Sequence, residues 1–141
     1  MFLTLDSNIF ISAYKGNEEF SSACIELIAR IPNEFNLIEP SIVLTEIYRA
    51  IGAYFGADEG RKRANDVRNM SYLLVDCGTS FCLDAGATAV KFDTYSADSL
   101  YLQTMLRYKT VLVTLDEEEF LKKVKKKDSK LKAYHVKDFP F

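Results

Sequence analysis

Histidine occurs once in this chain, as His135, and cysteine three times, as Cys24, Cys77 and Cys82, with no close Cys-x-x-Cys pair. That inventory excludes a zinc site of the usual Cys and His spacing. It also leaves no convincing Cys–His or Ser–His pair for nucleophilic catalysis. The odd cysteine count fits reduced thiols better than a disulfide framework. The opening Met1-Phe2-Leu3-Thr4-Leu5 has neither the basic residues nor the length of a secretory leader, so a cytoplasmic protein is expected. No run of about twenty apolar residues is present, which excludes a helical membrane span. A Gly-rich first loop is missing as well, and a dinucleotide-binding reading fails with it.

What the chain does contain is ordinary for a folded domain. Its 141 residues are 48% hydrophobic and 27% charged, enough for one domain, spanning 1–141, with a proper core. The formal charge of −2 says little, but its distribution says more. The first sixty residues are acidic. The stretch from Leu121 to Ala133 carries Lys122, Lys123, Lys125, Lys126, Lys127, Lys130 and Lys132 against Asp128 alone. Such a run serves either as a solvated helix face or as a guide for a phosphate backbone. Arg61, Lys62, Arg63 and Arg68 form a second, weaker basic stretch.

Short apolar, β-prone runs alternate with longer segments of helical period, the pattern of an α/β domain. Strands are expected at Phe2 to Leu5, Phe35 to Ile38, Tyr72 to Val75, Thr110 to Thr114 and Ala133 to Val136. Several are apolar at successive positions, as strands covered on both faces should be. His135 falls in the last of them and reads as a packing or surface residue. Helices are expected from an Asn17 cap through Arg30, from Pro40-Ser41 towards Phe55, and from Thr79 or Ser80 to Phe92. Others run from Ser96 through Tyr108 and from Asp116 into the lysines, with Asp58 to Met70 a more polar outer segment.

Four carboxylates recur where such a sheet would bring strand ends together: Asp6, Glu46, Asp98 and Asp116. Asp6 and Asp116 each follow a strand and precede a helix, where an Asp often serves as an N-cap. Asp98 lies in a first helical turn, where the helix dipole favours negative charge. Helical phase points elsewhere. Glu46 falls beside the stripe of Ile42, Val43 and Ala50, and Asp98 aligns with Tyr101, Leu102 and Met105. A carboxylate turned towards a core is costly unless it gains a partner. One shared divalent cation, Mg²⁺ or Mn²⁺, would partner all four.

In this order the motifs resemble those of the PIN-domain family, and in size and arrangement the chain is most similar to VapC-type toxins. Leu5-Asp6-Ser7-Asn8-Ile9-Phe10 resembles the family's opening Asp-Ser/Thr-Asn, and Thr45-Glu46 its helical Glu motif. Ala97-Asp98-Ser99-Leu100 and Val113-Thr114-Leu115-Asp116 resemble the third and fourth. The resemblance covers essentially the whole chain. It implies a three-layer α/β fold with a central parallel sheet of about five strands, and a Mg²⁺- or Mn²⁺-dependent endoribonuclease. Asp6, Glu46, Asp98 and Asp116 would then be the catalytic and metal-binding residues. Ser7, Asn8, Thr114 and Glu119 would be neighbours that orient them, with Glu119 standing where the family often has Asp. Lys122, Lys123 and Lys126 are candidates to hold the RNA backbone.

The resemblance further implies an RNA substrate, a cognate antitoxin and a homodimer. Two alternatives stay open: an RNA-processing PIN-like nuclease with no antitoxin, or a non-catalytic scaffold that binds RNA or protein. A phosphoacceptor receiver domain would need paired early carboxylates, which Asp6-Ser7-Asn8 does not supply.

Overall fold

In the computed structural model, which describes residues 1–141, five short strands are each followed by helical segments. The strands are β1 (Phe2–Leu5), β2 (Asn36–Pro40), β3 (Leu73–Val75), β4 (Val111–Thr114) and β5 (Ala133–His135). All pair in parallel, in the order β3-β2-β1-β4-β5. Leu3, Leu5, Leu37 and the whole of Val111–Thr114 are buried. Strands apolar at consecutive positions belong inside a sheet covered on both faces.

Between β1 and β2 lie α1 (Ser7–Lys15) and α2 (Ser21–Ala29), and between β2 and β3 lie α3 (Ile42–Phe55) and α4 (Ala57–Met70). The link from β3 to β4 contains α5 (Thr79–Phe92) and α6 (Ser96–Tyr108). The link from β4 to β5 contains a π-helical turn, Glu117–Leu121, that runs into α7 (Lys122–Lys127). Helix α1 packs on α2 and α3, and α3 on α4, whereas α5 packs on α6 and α7. Right-handed crossovers put the first group on one face of the sheet and the second on the other. The three-layer architecture expected from the sequence is the one found.

Element edges differ from the sequence reading by more than one residue in three places. Helix α2 starts at Ser21 rather than beyond Asn17, because Ser21 Oγ accepts the Glu18 N–H (3.0 Å) and donates to the Ser12 carbonyl (2.8 Å), holding a turn there. Asn17 is drawn off to the Tyr54 hydroxyl, 3.0 Å away. Strand β2 continues past Ile38 through Glu39 and Pro40. The backbone pairing of β1 with β2 stops at Leu3 and Leu37. Beyond that point the Leu5 N–H donates to Glu39 Oε1 (2.6 Å), and the Thr4 hydroxyl to the Ile38 carbonyl (2.8 Å). Side chains thus replace the ladder towards β1, while β2 runs on because Ile38, Glu39 and Pro40 pair with Leu73, Leu74 and Val75 of β3. The lysine-rich helix opens on a π turn, with α7 proper confined to Lys122–Lys127.

Helices α3 and α4 form a tight hairpin around two glycines. A Cβ on Gly60 would stand 2.5 Å from the Tyr48 carbonyl oxygen and 2.8 Å from the Gly52 nitrogen. Only a residue without a side chain allows that approach. The hairpin carries Glu46.

Candidate active site

The strand order reverses direction at β1. The chain proceeds from β1 to β2 and β3 on one side, then crosses back to β4 and β5 on the other. In open parallel sheets the crevice at such a reversal, beyond the carboxyl ends of the strands, is where ligands bind. Asp6 follows the last residue of β1, and Asp116 lies two residues past β4, its neighbour.

Asp6 is 5% exposed and does not cap α1. Its backbone N–H continues the β1–β4 ladder to the Val113 carbonyl (2.9 Å), which aims the side chain along the crevice edge. Its Oδ2 accepts from the Thr114 hydroxyl (2.7 Å) and from Asn8 Nδ2 (3.1 Å). Asn8 in turn accepts the Leu115 N–H through Oδ1 (3.1 Å), and the Asp116 N–H donates to Thr114 Oγ1 (3.0 Å). One network therefore ties the loop after β1 to the loop after β4. Ser7 is buried beside it, with its hydroxyl outside the network.

Asp116 is an N-cap: its Oδ1 accepts the Glu119 N–H at 2.9 Å and starts the π turn. Glu119 is exposed and pairs with Lys123 at 3.3 Å. Glu46, from α3, accepts a short hydrogen bond on Oε1 from the hydroxyl of Tyr101, a fully buried residue of α6. Because α3 and α6 cover opposite faces of the sheet, this bond joins the two helical layers across its carboxyl edge. Asp98, in the first turn of α6, is half-buried.

The four carboxylates act on one another electrostatically. Burial, with the charges of Asp98 and Glu46, pushes the Asp6 carboxyl up to about 7 against the opposing hydrogen bond from Thr114. Burial also pushes Asp98 up to about 6, helped by Asp116 and Glu46, while the Lys123 ammonium pulls it down. Tyr101 is held well above the ordinary phenol range by burial and then by Glu46, Asp6 and Glu39. The site is a pocket of negative charge with Lys123 at its margin as the one cation acting on Asp98.

Two residues at this site lie outside the set read from the sequence. Glu39, on β2, is 0% exposed, and its Oε2 has no hydrogen-bond partner. Burial first, and Asp6 second, hold its carboxyl well above the usual range, although the Leu5 N–H opposes them. An acid within the apolar run Leu-Ile-Glu-Pro was the available signal. Tyr101 lies three residues after Asp98 on the same helical stripe, but nothing in its type marks it off from core.

The donor set suits a hard cation. Asp6 Oδ1, Glu46 Oε2, Asp116 Oδ2 and both oxygens of Asp98 have no protein donor, and all are oxygens of the kind Mg²⁺ and Mn²⁺ prefer. No three Asp, Glu, His or Cys side chains converge closely enough to hold an ion as they stand. No helix is long and apolar enough to cross a membrane.

Comparison with known proteins agrees with this architecture. The PIN domain profile matches residues 3–127, and the chain belongs to the PIN domain family. No curated protein matches it in sequence. Among solved structures it is similar to VapBC-1 from nontypeable Haemophilus influenzae, with 16% identity, a TM-score of 0.69, and 98% of this chain and 100% of that chain covered. It is also similar to DNA-bound VapBC from Salmonella typhimurium, at 13% identity and a TM-score of 0.68 over 96% and 98% of the two chains. A third likeness is to VapC20 of Mycobacterium tuberculosis, described as a toxin that cleaves the sarcin-ricin loop, at 14% identity and a TM-score of 0.67 over 82% and 91%. At these identities the likeness is one of fold.

Proposed function

We propose that this protein is a metal-dependent endoribonuclease of the toxin kind, active in the cytoplasm and held in check by a cognate antitoxin. The observation that carries the reading is the crevice at the sheet reversal. There Asp6, Glu46, Asp98 and Asp116 each keep at least one oxygen free of protein donors. Family membership and the toxin–antitoxin complexes among the structural neighbours support it. A homodimer is proposed on the same resemblance.

Asp6, Glu46, Asp98 and Asp116 would hold Mg²⁺ or Mn²⁺. The ion, when bound, supplies positive charge that polarises a phosphoryl oxygen and offsets the charge on the leaving oxygen. The protein's own contribution is orientation. Thr114 and Asn8 fix Oδ2 of Asp6 and leave Oδ1 without a protein donor, and Tyr101 fixes one oxygen of Glu46 and leaves the other. Partners of this kind set the direction and basicity of a ligating group. In the reaction, water attacks phosphorus, the bond from phosphorus to the 3′-oxygen breaks, and that oxygen takes up a proton. The products are a 5′-phosphate and a 3′-hydroxyl. The free carboxylate oxygens are the acceptors for the proton that the water gives up.

The test incubates the purified protein with structured and unstructured RNA, with Mg²⁺, with Mn²⁺ and with a chelator, beside Asp98→Asn and Tyr101→Phe. Cleavage is expected only with metal, absent in Asp98→Asn and lowered about 10–100-fold in Tyr101→Phe. Cleavage that survived chelation or the Asp98 substitution would overturn the reading.

A further inference from the structure

A groove of about 700 Å³ lies between α3 and α4. Thr45, Tyr48 and Arg49 line it from α3, and Arg61, Asn65 and Arg68 from α4. Thr45 and Arg49 stand one residue before and three residues after Glu46 on the same helix, so the groove opens within about one helical turn of a site acid.

The groove is basic, and Arg61 within it feels Tyr48 first and Asp58 after it. No acidic residue lines it, and none of Arg49, Arg61 and Arg68 forms an ion pair. Several other basic residues of the chain are already engaged. Arg30 is paired with Glu34 and Arg63 with Glu59 and Asp66. Lys122 is paired with Glu118, and Lys123 with Glu119 and Asp93, while Lys125 donates to the Leu131 carbonyl. Of the lysines read from the sequence as backbone contacts, only Lys126 is without an ion pair.

Resting on the ribonuclease reading above, we infer that the α3–α4 groove binds the phosphodiester backbone of the RNA strand whose neighbouring linkage enters the carboxylate crevice. Guanidinium groups match phosphate oxygens with paired, charge-assisted hydrogen bonds. Tyr48, 37% exposed, offers a ring face to an unstacked base. The juxtaposition solves an electrostatic problem, since four carboxylates repel a polyanion at the point where it must be cut. Arg49, one turn from Glu46, and the α4 arginines that share its groove supply the attraction that brings it there.

The test measures binding of a short fluorescein-labelled single-stranded RNA, and of DNA of the same sequence, by anisotropy across a salt series in chelator, using the Asp98→Asn protein. Arg61→Gln with Arg68→Gln is added to that background, and Lys122→Gln with Lys123→Gln serves as the comparison. The arginine pair is expected to weaken RNA binding about tenfold or more and to lower the slope of log affinity against log salt by about 1.4. The lysine pair should change both less. Thermal melts check folding, and Arg49→Gln provides a second variant should the pair fold poorly.

Unchanged affinity and slope would overturn the inference. So would loss of a dimer with RNA affinity intact, which would assign the arginines to a protein interface, or a loss confined to the DNA arm. The two readings fail separately. RNA bound through the arginines by a wild-type protein that never cuts it would sink the nuclease and keep the groove. Equal cutting by the wild type and the arginine variant would do the reverse.

Discussion

Asp6 shows how much of a residue's role is set by what surrounds it. Sequence context allowed a helix cap, and the structure gives it another task, with Thr114 and Asn8 holding one oxygen and no cap bond formed. Asp116 is the reverse case, a cap in fact, with one oxygen left over. Helical phase was enough to turn Glu46 and Asp98 inward. Glu39 was marked only by its place in an apolar run, and its hydrogen bond to the Leu5 N–H depends on β1 and β2 parting, a tertiary event that no local period encodes. The Asp6 environment has a measurable cost. An unfolded Asp titrates near 3.9, whereas native Asp6 lies at about 7. Between those values the native state holds the extra proton. Its contribution to stability is therefore full below about pH 4 and is lost as pH rises through 7. Urea melts in chelator should show metal-free protein losing stability over that window, and Asp6→Asn should flatten the loss. A slope indifferent to the substitution would contradict the environment described here.

At the scale of elements, the alternation of apolar runs and helical periods made all five strands legible, because a parallel sheet buries both faces and leaves consecutive apolar residues in the sequence. Edges were less legible. Ser21 overrides Asn17 at the start of α2 through bonds to Ser12 and Glu18, contacts that exist only once α1 is in place. The α3–α4 hairpin was read as two segments, but not as a pair touching through Gly60. A side chain there meets backbone, which cannot swing aside. Gly60→Ala should cost about 1–3 kcal/mol, the usual range for an overpacked contact, read as a lowered urea midpoint. RNA binding should weaken with it if the arginine groove depends on the spacing of the two helices. A neutral Gly60→Ala would mean that the helices separate freely.

The molecule as a whole carries strong local charge on a nearly neutral chain. Its net charge of −2 conceals an acidic crevice and a groove of unpaired arginines. The sequence displayed the acids and the two basic stretches but not the groove that Arg49 shares with Arg61 and Arg68, which arises only when α4 folds back on α3. A cation that binds the native crevice and not the unfolded chain stabilises the fold by mass action, by about 2.7 kcal/mol at a concentration one hundred times its dissociation constant. Millimolar Mn²⁺ should therefore raise the melting temperature by several degrees at fixed protein concentration, and Asp98→Asn should reduce the rise. No shift in either protein would remove tight cation binding from the account. The fork between β1 and β2 has a mechanical consequence for that capture. Above Leu3 and Leu37 the two halves of the sheet are joined by Glu39 and Thr4 side chains instead of a backbone ladder. One half carries α3 with Glu46, and the other carries Asp6 and the loop of Asp116. A ladder would lock their separation, whereas side chains on rotatable bonds would let the acids draw together around a cation, were one bound, without unzipping a strand.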